Sequence, residues 1–239
     1  MPLAVVPARG TSTGIPRKNV RELLGRPLLA WTVEAALASG VCERVLVSTE
    51  DDEIAETARA CGAEVPFLRP QELARDDTPT APVVRHALDW LRAGGEALPE
   101  LVLVLEPTSP TRRPAHIREA VELLASSGAD SVASVSEVPH HHVAEKQLRL
   151  AGDGALTGLD GTPVGAMTHR RQDLPVRYAL NGLVFACRSE LLLREPPTLW
   201  GDRVLGFVVD PRFAVDLDGP EDWAVAEARL REILASEAS

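Results

Sequence analysis

No stretch of this sequence carries the ~18–20 consecutive apolar residues of a membrane span, so no membrane association is expected. The first apolar run is broken by Arg9 and Gly10 after only a few residues, which argues against a signal peptide. Cysteine is sparse: Cys42, Cys61 and Cys187 have no metal-like spacing, and their odd number argues against a disulfide framework. These absences predict a reduced, cytoplasmic protein. Excess positive charge is missing too. With 35 acidic against 25 basic residues the formal net charge is −10, the wrong sign for a nucleic-acid scaffold. Neither the dinucleotide fingerprint G-x-G-x-x-G nor the P-loop G-x-x-x-x-G-K-[ST] occurs, which disfavours a Rossmann dehydrogenase. There is no internal repeat and no low-complexity tail. Lysine is the scarcest charged residue: Lys18 and Lys146 are the only two among 25 basic side chains.

What is present is an ordinary globular composition, 45% hydrophobic and 25% charged, in 239 residues. That length suits one large domain, or one domain with a smaller excursion. Strand-like and helix-like segments alternate. Leu3–Pro7, Val45–Ser48, Leu101–Leu105 and Val132–Val135 predict strands, and "LVLVL" at Leu101–Leu105 has the unbroken apolar character of a strand buried on both faces. Helices are predicted over Pro27–Ala38, Asp51–Ala60, Thr80–Ala93 and Pro114–Ser126, from helical spacing of apolar residues with Pro or acids at the start and Gly at several ends. Ser136 to Arg177 breaks the pattern, with three consecutive histidines, several glycines and little periodicity; an arm, a lid or a dimerisation excursion would all fit. Leu183–Ala186 and Val204–Val209 are again strand-like, and a helix closes the chain from Pro220 to about Ala235. The alternation predicts an α/β fold with a mostly parallel sheet covered by helices. Such sheets bind ligands at the carboxyl ends of their strands, so the loop after the first strand is an expected wall of the site.

That loop reads "VVPARGTSTGIPRKN" over residues 5–19. Gly10 and Gly14 permit tight backbone geometry, Thr11, Ser12 and Thr13 can donate to phosphate oxygens, and Arg9 and Lys18 supply charge for a triphosphate. In a chain that otherwise uses arginine, a retained lysine suggests a need for a compact point charge. The alternative is a solvated basic loop with an incidental lysine.

The wording of this loop resembles the N-terminal motif of the acylneuraminate cytidylyltransferase family, which makes CMP-sialic acid and related CMP-nonulosonic acids. Five further segments resemble the family in order: "GRPLLAWTVEAAL", "VSTEDDEIAETARACGAEVPFLRPQELARDDTPT", "LEPTSPTRR", "RRQDLPVRYALNG" and "VDLDGPEDWAVAE". The resemblance implies a Rossmann-like nucleotidyltransferase fold with a mixed central sheet, as a single domain over 1–239. It implies a homodimer formed through the 136–177 excursion. It also implies a reaction of CTP with a 2-keto-3-deoxy sugar acid, giving the CMP-sugar and pyrophosphate.

By the same resemblance, Arg9, Gly10, Thr11, Ser12, Gly14, Lys18 and Asn19 would hold CTP, with Arg9 and Lys18 neutralising charge as pyrophosphate leaves. Arg69 and Thr80 match positions near cytosine and ribose; Arg69 could instead be a surface arginine beside Pro70. Asp216 and Asp218, at i and i+2 on an extended segment, present both carboxylates to one face and suit Mg²⁺. Asp218 could instead cap the helix that begins near Pro220. On the acceptor side the resemblance points to Arg171 for a sugar-acid carboxylate, with Arg170 adjoining, and to Asn181 and Phe185 as contacts; Asn181 otherwise reads as a turn residue before Gly182. Trp200 falls near a family aromatic that packs on the sugar, and a core tryptophan fits equally. Lys146 lies close to where the family reaches a lysine into the neighbouring subunit's site. His140, His141 and His142 cannot all face one ion, so a polar loop is expected there rather than zinc.

Three positions depart from the family pattern. Thr13 stands where lysine is common, Glu106 where glutamine is common, and Ala179 where a larger side chain, often arginine, is usual. Glu106 is expected at the acceptor, or else in an ion pair with Arg112 or Arg113. Two rival functions remain open at this level: a cytidylyltransferase for another ulosonate or a phosphonate, and an inactive nucleotide-binding homologue. Retention of Lys18, Asp216 and Asp218 speaks against the second.

Overall fold

The apolar runs become strands, and most of them lie side by side. A computed structural model describes residues 1–167 and 170–237. Thr168 and His169 of the expected excursion, and the last two positions of the expected domain, lie outside the described residues. In chain order the strands and α-helices are β1 (Leu3–Pro7), β2 (Glu22–Leu23), β3 (Arg26–Pro27), α1 (Leu28–Ser39), β4 (Arg44–Ser48), α2 (Asp52–Ala60), α3 (Thr80–Ala93), β5 (Leu101–Val104), α4 (Pro114–Ser127), β6 (Ser131–Glu137), β7 (Leu148–Leu150), β8 (Leu156–Gly158), β9 (Tyr178–Arg188), α5 (Ser189–Leu192), β10 (Val204–Val208) and α6 (Pro220–Glu237).

Six strands form one sheet in the order β10-β6-β9-β5-β1-β4. Neighbours are parallel except around β9, which runs antiparallel to both β5 and β6. Burial on both faces explains why β1 and β5 are almost wholly apolar. One face packs against α1, α2, α4 and Ile233 of α6, the other against α3 and α5. A separate apolar cluster joins Ile15, Leu23, Leu28, Trp31, Val215, Leu217, Trp223 and Leu230. It fastens the loop after β1 to the segment before α6, two stretches about 200 residues apart in sequence. Among the described residues no helix is long and apolar enough to cross a membrane.

The local chemistry accounts for the element ends. Asp51 caps α2, its carboxylate accepting from Ile54 N at 3.0 Å, so it precedes the helix it was expected to begin. Gly40 closes α1 in the left-handed region at φ 70°. The N-terminus of α6 is served from inside: Asp222 accepts from the main chains of Asp218 and Gly219 at 3.0 and 2.7 Å.

The structure differs from the sequence expectation in three places. Pro27 ends a strand instead of opening α1, because β2 and β3 form a small hairpin. Its two-residue turn has positive φ at both Leu24 (53°) and Gly25 (74°), the geometry of a type I′ turn. A leucine at the first position hides that turn from the usual Asn-Gly signal. The irregular excursion contains a second hairpin, β7–β8. Finally, β9 begins at Tyr178, five residues before the apolar run that marked it, since Tyr178–Leu180 pairs with β6 alone and stays exposed.

Candidate active site

The carboxyl ends of β1, β4 and β5 open onto one cleft. Its first cavity, about 290 Å³, is lined by Arg9, Thr11, Ser12, Lys18 and Asn19 from the loop after β1 and by Arg69, Arg75, Asp76 and Thr80 from the segment leading into α3. Glu106 and Thr108 after β5, with Asp216 and Asp218 before α6, complete it. Ten of the residues singled out in the sequence therefore meet in one place.

The loop is held by contacts that sort its cations. Lys18 donates from Nζ to the Leu217 carbonyl at 2.8 Å, placing its ammonium between the two aspartates in sequence. Leu217 is in turn fixed by its own N–H on the Thr108 carbonyl at 3.0 Å. Asn19 donates to the Arg9 carbonyl at 2.9 Å, closing the loop on itself. Arg9 forms an ion pair with Asp76 at the cleft mouth. Arg17 leaves the cleft: in the left-handed region at φ 54°, it pairs with Asp51 at 2.6 Å and with Glu53. The Arg17 guanidinium holds the Asp51 carboxyl below its ordinary value. Gly14 packs so tightly that a Cβ would sit 2.1 Å from the Asp218 carbonyl oxygen, a contact only glycine avoids. A Cβ on Gly10 would meet the Asp51 carboxylate at 2.7 Å.

A second cavity, about 440 Å³, shares Thr80 and Glu106 with the first. It brings Phe185 and Trp200 together, edge to face at 4.6 Å. Trp200 is 45% exposed on its wall and is not a core residue. Glu106 stands on the floor between the cavities. Its carboxyl is open to the cleft yet surrounded by protein, and burial, then the Asp216 charge, push its pKa up, against the pull of Arg112 and Lys18. Neither arginine expected to pair with it does so. Arg113 pairs with Glu237 at 2.8 Å. Arg112 instead donates to the main-chain carbonyl of Glu106 at 2.7 Å.

Asn181, Arg171 and Lys146 line neither cavity. Asn181 is buried, its Nδ2 donating to Ser136 Oγ at 2.8 Å and its Oδ1 accepting from Leu183 N at 3.2 Å. Its amide thus stabilises the irregular pairing of β6 with β9. Arg171 lines a different cavity, with His140 and Pro139. Lys146 sits in the excursion, close to the β7–β8 hairpin. The Asp216 and Asp218 carboxylates make no hydrogen bond or ion pair among the described residues, and Asp222, not Asp218, serves the α6 N-terminus.

Two residues that organise the site were missed. Glu50, just past the carboxyl end of β4, accepts from Gly10 N at 2.6 Å and from Arg69 at 2.7 Å, in a pair whose side chains are 9% and 4% exposed. It ties the loop to the far wall of the cavity. Its position after a parallel strand was the available signal. Arg112 is fully enclosed and has no carboxylate partner. It donates to the carbonyls of Leu183, Glu106 and Gly182 and to Thr32 Oγ1 at 2.8 Å. Burial draws its pKa down to about 9, so it remains charged at neutral pH. It stitches the end of β5 to β9 beneath the second cavity.

Residues 3–153 match the family model described as Cytidylyltransferase. The chain is 36% identical over 227 residues to N-acylneuraminate cytidylyltransferase A of Danio rerio, covering 95% of itself but 50% of that protein. It is 34% identical to CMP-N,N'-diacetyllegionaminic acid synthase of Legionella pneumophila, covering 97% of itself and 96% of that protein. It thus spans about half the length of several curated relatives and nearly all of another. In fold it is similar to CMP:2-keto-3-deoxy-manno-octonic acid synthetase complexed with CTP, with a TM-score of 0.71 at 14% identity, covering 97% of this chain and 98% of that one. The identity of 32–36% over most of the chain, joined to the family match over its first two thirds, decides the assignment: the chain belongs to the cytidylyltransferase family.

Proposed function

We propose that this chain is an enzyme that transfers CMP from CTP to a nonulosonic, sialic-acid-like sugar acid and releases pyrophosphate. The observation that carries the reading is the pair of adjoining cavities. One is rich in cations and carboxylates, the other largely apolar, and Thr80 and Glu106 belong to both. A nucleotide triphosphate and a second substrate would meet at that junction. The acceptor's hydroxyl oxygen bonds the α-phosphorus as the bond from that phosphorus to the β-phosphate oxygen breaks. Pyrophosphate leaves with the electron pair, and the hydroxyl proton goes to solvent. Arg9 and Lys18 would orient the phosphates and offset their charge, with Arg69 and Thr80 beside the nucleoside, so positioning and electrostatics do most of the chemistry.

Asp216 and Asp218 would hold Mg²⁺. The donor set fits: two carboxylates free of competing donors, with no third protein ligand grouped with them among the described residues, leave room for phosphate and water oxygens. The ion would add charge stabilisation at those oxygens. The reading includes a cytoplasmic location, consistent with three free thiols. It also includes a homodimer. Leu150, Leu156, Val176, Tyr178 and Leu180 expose apolar surface on the excursion and the start of β9, which a second copy would cover. Arg171 and Lys146 would then serve the partner's cleft.

Pyrophosphate release with each of four nucleoside triphosphates, Mg²⁺ and a panel of sugar acids tests the reaction. Turnover with CTP and a nonulosonic acid is expected. CTP binding without turnover on any acid would favour a binding module instead. Light scattering at micromolar concentration should give a dimer, and a monomer would remove Lys146 from any site in trans.

A further inference from the structure

Arg112 is an enclosed cation to which the proposed transfer gives no task. It is 1% exposed, and no carboxylate accepts a hydrogen bond from its guanidinium among the described residues. Burying a cation without a hydrogen-bonded counter-charge is costly, and an apolar side chain of similar volume would fill the space without that cost. What the charge does is written in its donors.

β5 and β9 pair antiparallel from Leu101–Arg188 to Val104–Phe185, and the ladder stops there. Continued in that register, Glu106 would face Leu183. The strands part instead, and the guanidinium stands in the gap. Its Nε donates to the Leu183 carbonyl, and its Nη2 donates to the carbonyls of Glu106 at 2.7 Å and Gly182 at 3.3 Å. Its Nη1 donates to Thr32 Oγ1 of α1 at 2.8 Å, and that hydroxyl donates to the Glu106 carbonyl at 3.5 Å. A planar fork of five N–H donors can span two diverging strands and a helix at once, and a compact ammonium cannot. On its other edge β9 shifts register against β6 between Ala133 and Val135, with Gly182 in the left-handed region at φ 70°. There Ser134 Oγ accepts from Val184 N at 2.8 Å. The bent part of β9 is thus held from the β6 side by Ser134 and from the β5 side by Arg112.

Both ends of this brace are cavity walls, although Arg112 lines neither cavity. Glu106 belongs to both, and Gly182, Val184 and Phe185 belong to the second. The width of the gap therefore sets how the second cavity stands relative to the first. The other walls of the first cavity have fastenings of their own: Lys18 on the Leu217 carbonyl, and Glu50 between Gly10 and Arg69.

Resting on the proposed cytidylyl transfer, we infer that Arg112 is a positioning residue: without touching either substrate, it aligns the acceptor hydroxyl on the α-phosphorus by fixing the gap between Glu106 and the Gly182 bend of β9. Loosening the brace spoils the alignment of two bound substrates, so it lowers kcat and leaves CTP binding almost unchanged.

The test compares Arg112→Lys, Thr32→Val and Thr32→Ser with wild type as full chains, with CTP, Mg²⁺ and the nonulosonic acid that wild type turns over best, well below each Tm. CTP binding is read separately by calorimetry without acceptor. Arg112→Lys keeps the charge and loses the fork, and kcat should fall by about 10-fold or more, toward the ~10²-fold that a misplacement of about 1 Å costs. Thr32→Val is nearly isosteric and lies outside both cavities; kcat should fall by about 3-fold to 10-fold, whereas Thr32→Ser, which keeps the hydroxyl, should stay within about twofold of wild type. Kd for CTP should stay within about twofold in all three. A group that only supports the fold would lower Tm and leave kcat alone. Where Arg112→Lys folds it decides: a lowered Tm with kcat within about twofold of wild type overturns the inference, and so does a CTP Kd that weakens in step with kcat. Where it does not fold, the two Thr32 variants decide by the same measures. A wild-type chain that binds CTP and turns over no acid overturns the cytidylyl-transfer reading and this inference with it.

Discussion

Removing the Glu50 carboxylate should be one of the most damaging single changes outside the apolar core. Glu50 bridges Gly10 of the phosphate-side loop and Arg69 of the opposite wall, and Arg69 is 5% exposed. Glu50→Ala leaves that guanidinium buried with no counter-charge. Breaking a buried pair from one side costs about 3–5 kcal/mol, far above the ~0–1 kcal/mol of a surface pair. Against a typical total of about 5–15 kcal/mol this is a large fraction. With an m-value near ~3 kcal/mol/M, the urea midpoint should fall by about 1–1.7 M. KM for CTP should rise as well, because both the Gly10 main chain and Arg69 lose their fixed positions. The double variant Glu50→Leu/Arg69→Met separates the two effects. Apolar replacement of the whole pair should restore stability to within about 1 kcal/mol of wild type, as it does when both members of a buried ion pair are replaced together. It should not restore CTP affinity, since Arg69 is gone. A midpoint shift below ~0.3 M for Glu50→Ala would show that water reaches the pair and would refute the reasoning.

Three further outcomes are expected. Asp216→Asn and Asp218→Asn should each lower kcat by ~10²-fold or more with an unchanged circular dichroism spectrum; wild-type turnover and Mg²⁺ dependence in both would sink the metal assignment. Lys18→Arg should lose at least ~10-fold in activity with CTP, because a planar fork replaces the compact ammonium seated on the Leu217 carbonyl, and activity within about twofold of wild type would mean that any cation serves. His116 is 9% exposed, its Nδ1 accepts from Arg113 N, and burial with the nearby charges of Arg112, Arg113 and Arg212 lowers its pKa from 6.5 to about 4. The folded state thus binds this proton more weakly than the unfolded chain. Its contribution is complete above the unfolded pKa and is lost as pH falls from about 6.5 toward 4, by roughly 3 kcal/mol at most. His116→Gln should flatten that part of the stability profile relative to wild type, and an NMR titration placing the His116 pKa at or above 6.5 would contradict it.

How much of this was legible depended on what each residue's partner is. Strands buried on both faces, such as β1, β4 and β5, announce themselves through continuous apolar runs, and β10 could be placed from its apolar residues although it is an exposed edge strand. Residues 178–182 of β9 could not, because pairing along a single edge leaves no apolar signature. The site divides in the same way. Arg9, Lys18, Asp216 and Asp218 were singled out by residue type together with the family resemblance, and all four line the first cavity. Arg112 donates mainly to main-chain carbonyls, two of them at least 70 residues away, and no pattern of side chains encodes that. Glu50 was masked by its neighbours, since an acidic run before a helix has a sufficient local explanation in capping and the helix dipole.

The basic loop makes the same distinction within a dozen residues. Arg9, Arg17 and Lys18 look equivalent as charges, and a triphosphate could use all three. The fold gives them different work. Arg17, in the left-handed region, turns outward onto Asp51 and Glu53 and clamps the loop against the start of α2. Lys18 turns inward onto the Leu217 carbonyl, beside the two aspartates. Arg9 stands at the mouth on Asp76, the member of the three whose partner a phosphate could displace without dismantling the loop. A net charge of −10 is therefore no obstacle to an anion site. Asp76 holds Arg9 and Glu50 holds Arg69, while Asp51 and Glu53 hold Arg17 outside the cleft, so under the proposed function the cleft cations are positioned before any phosphate arrives.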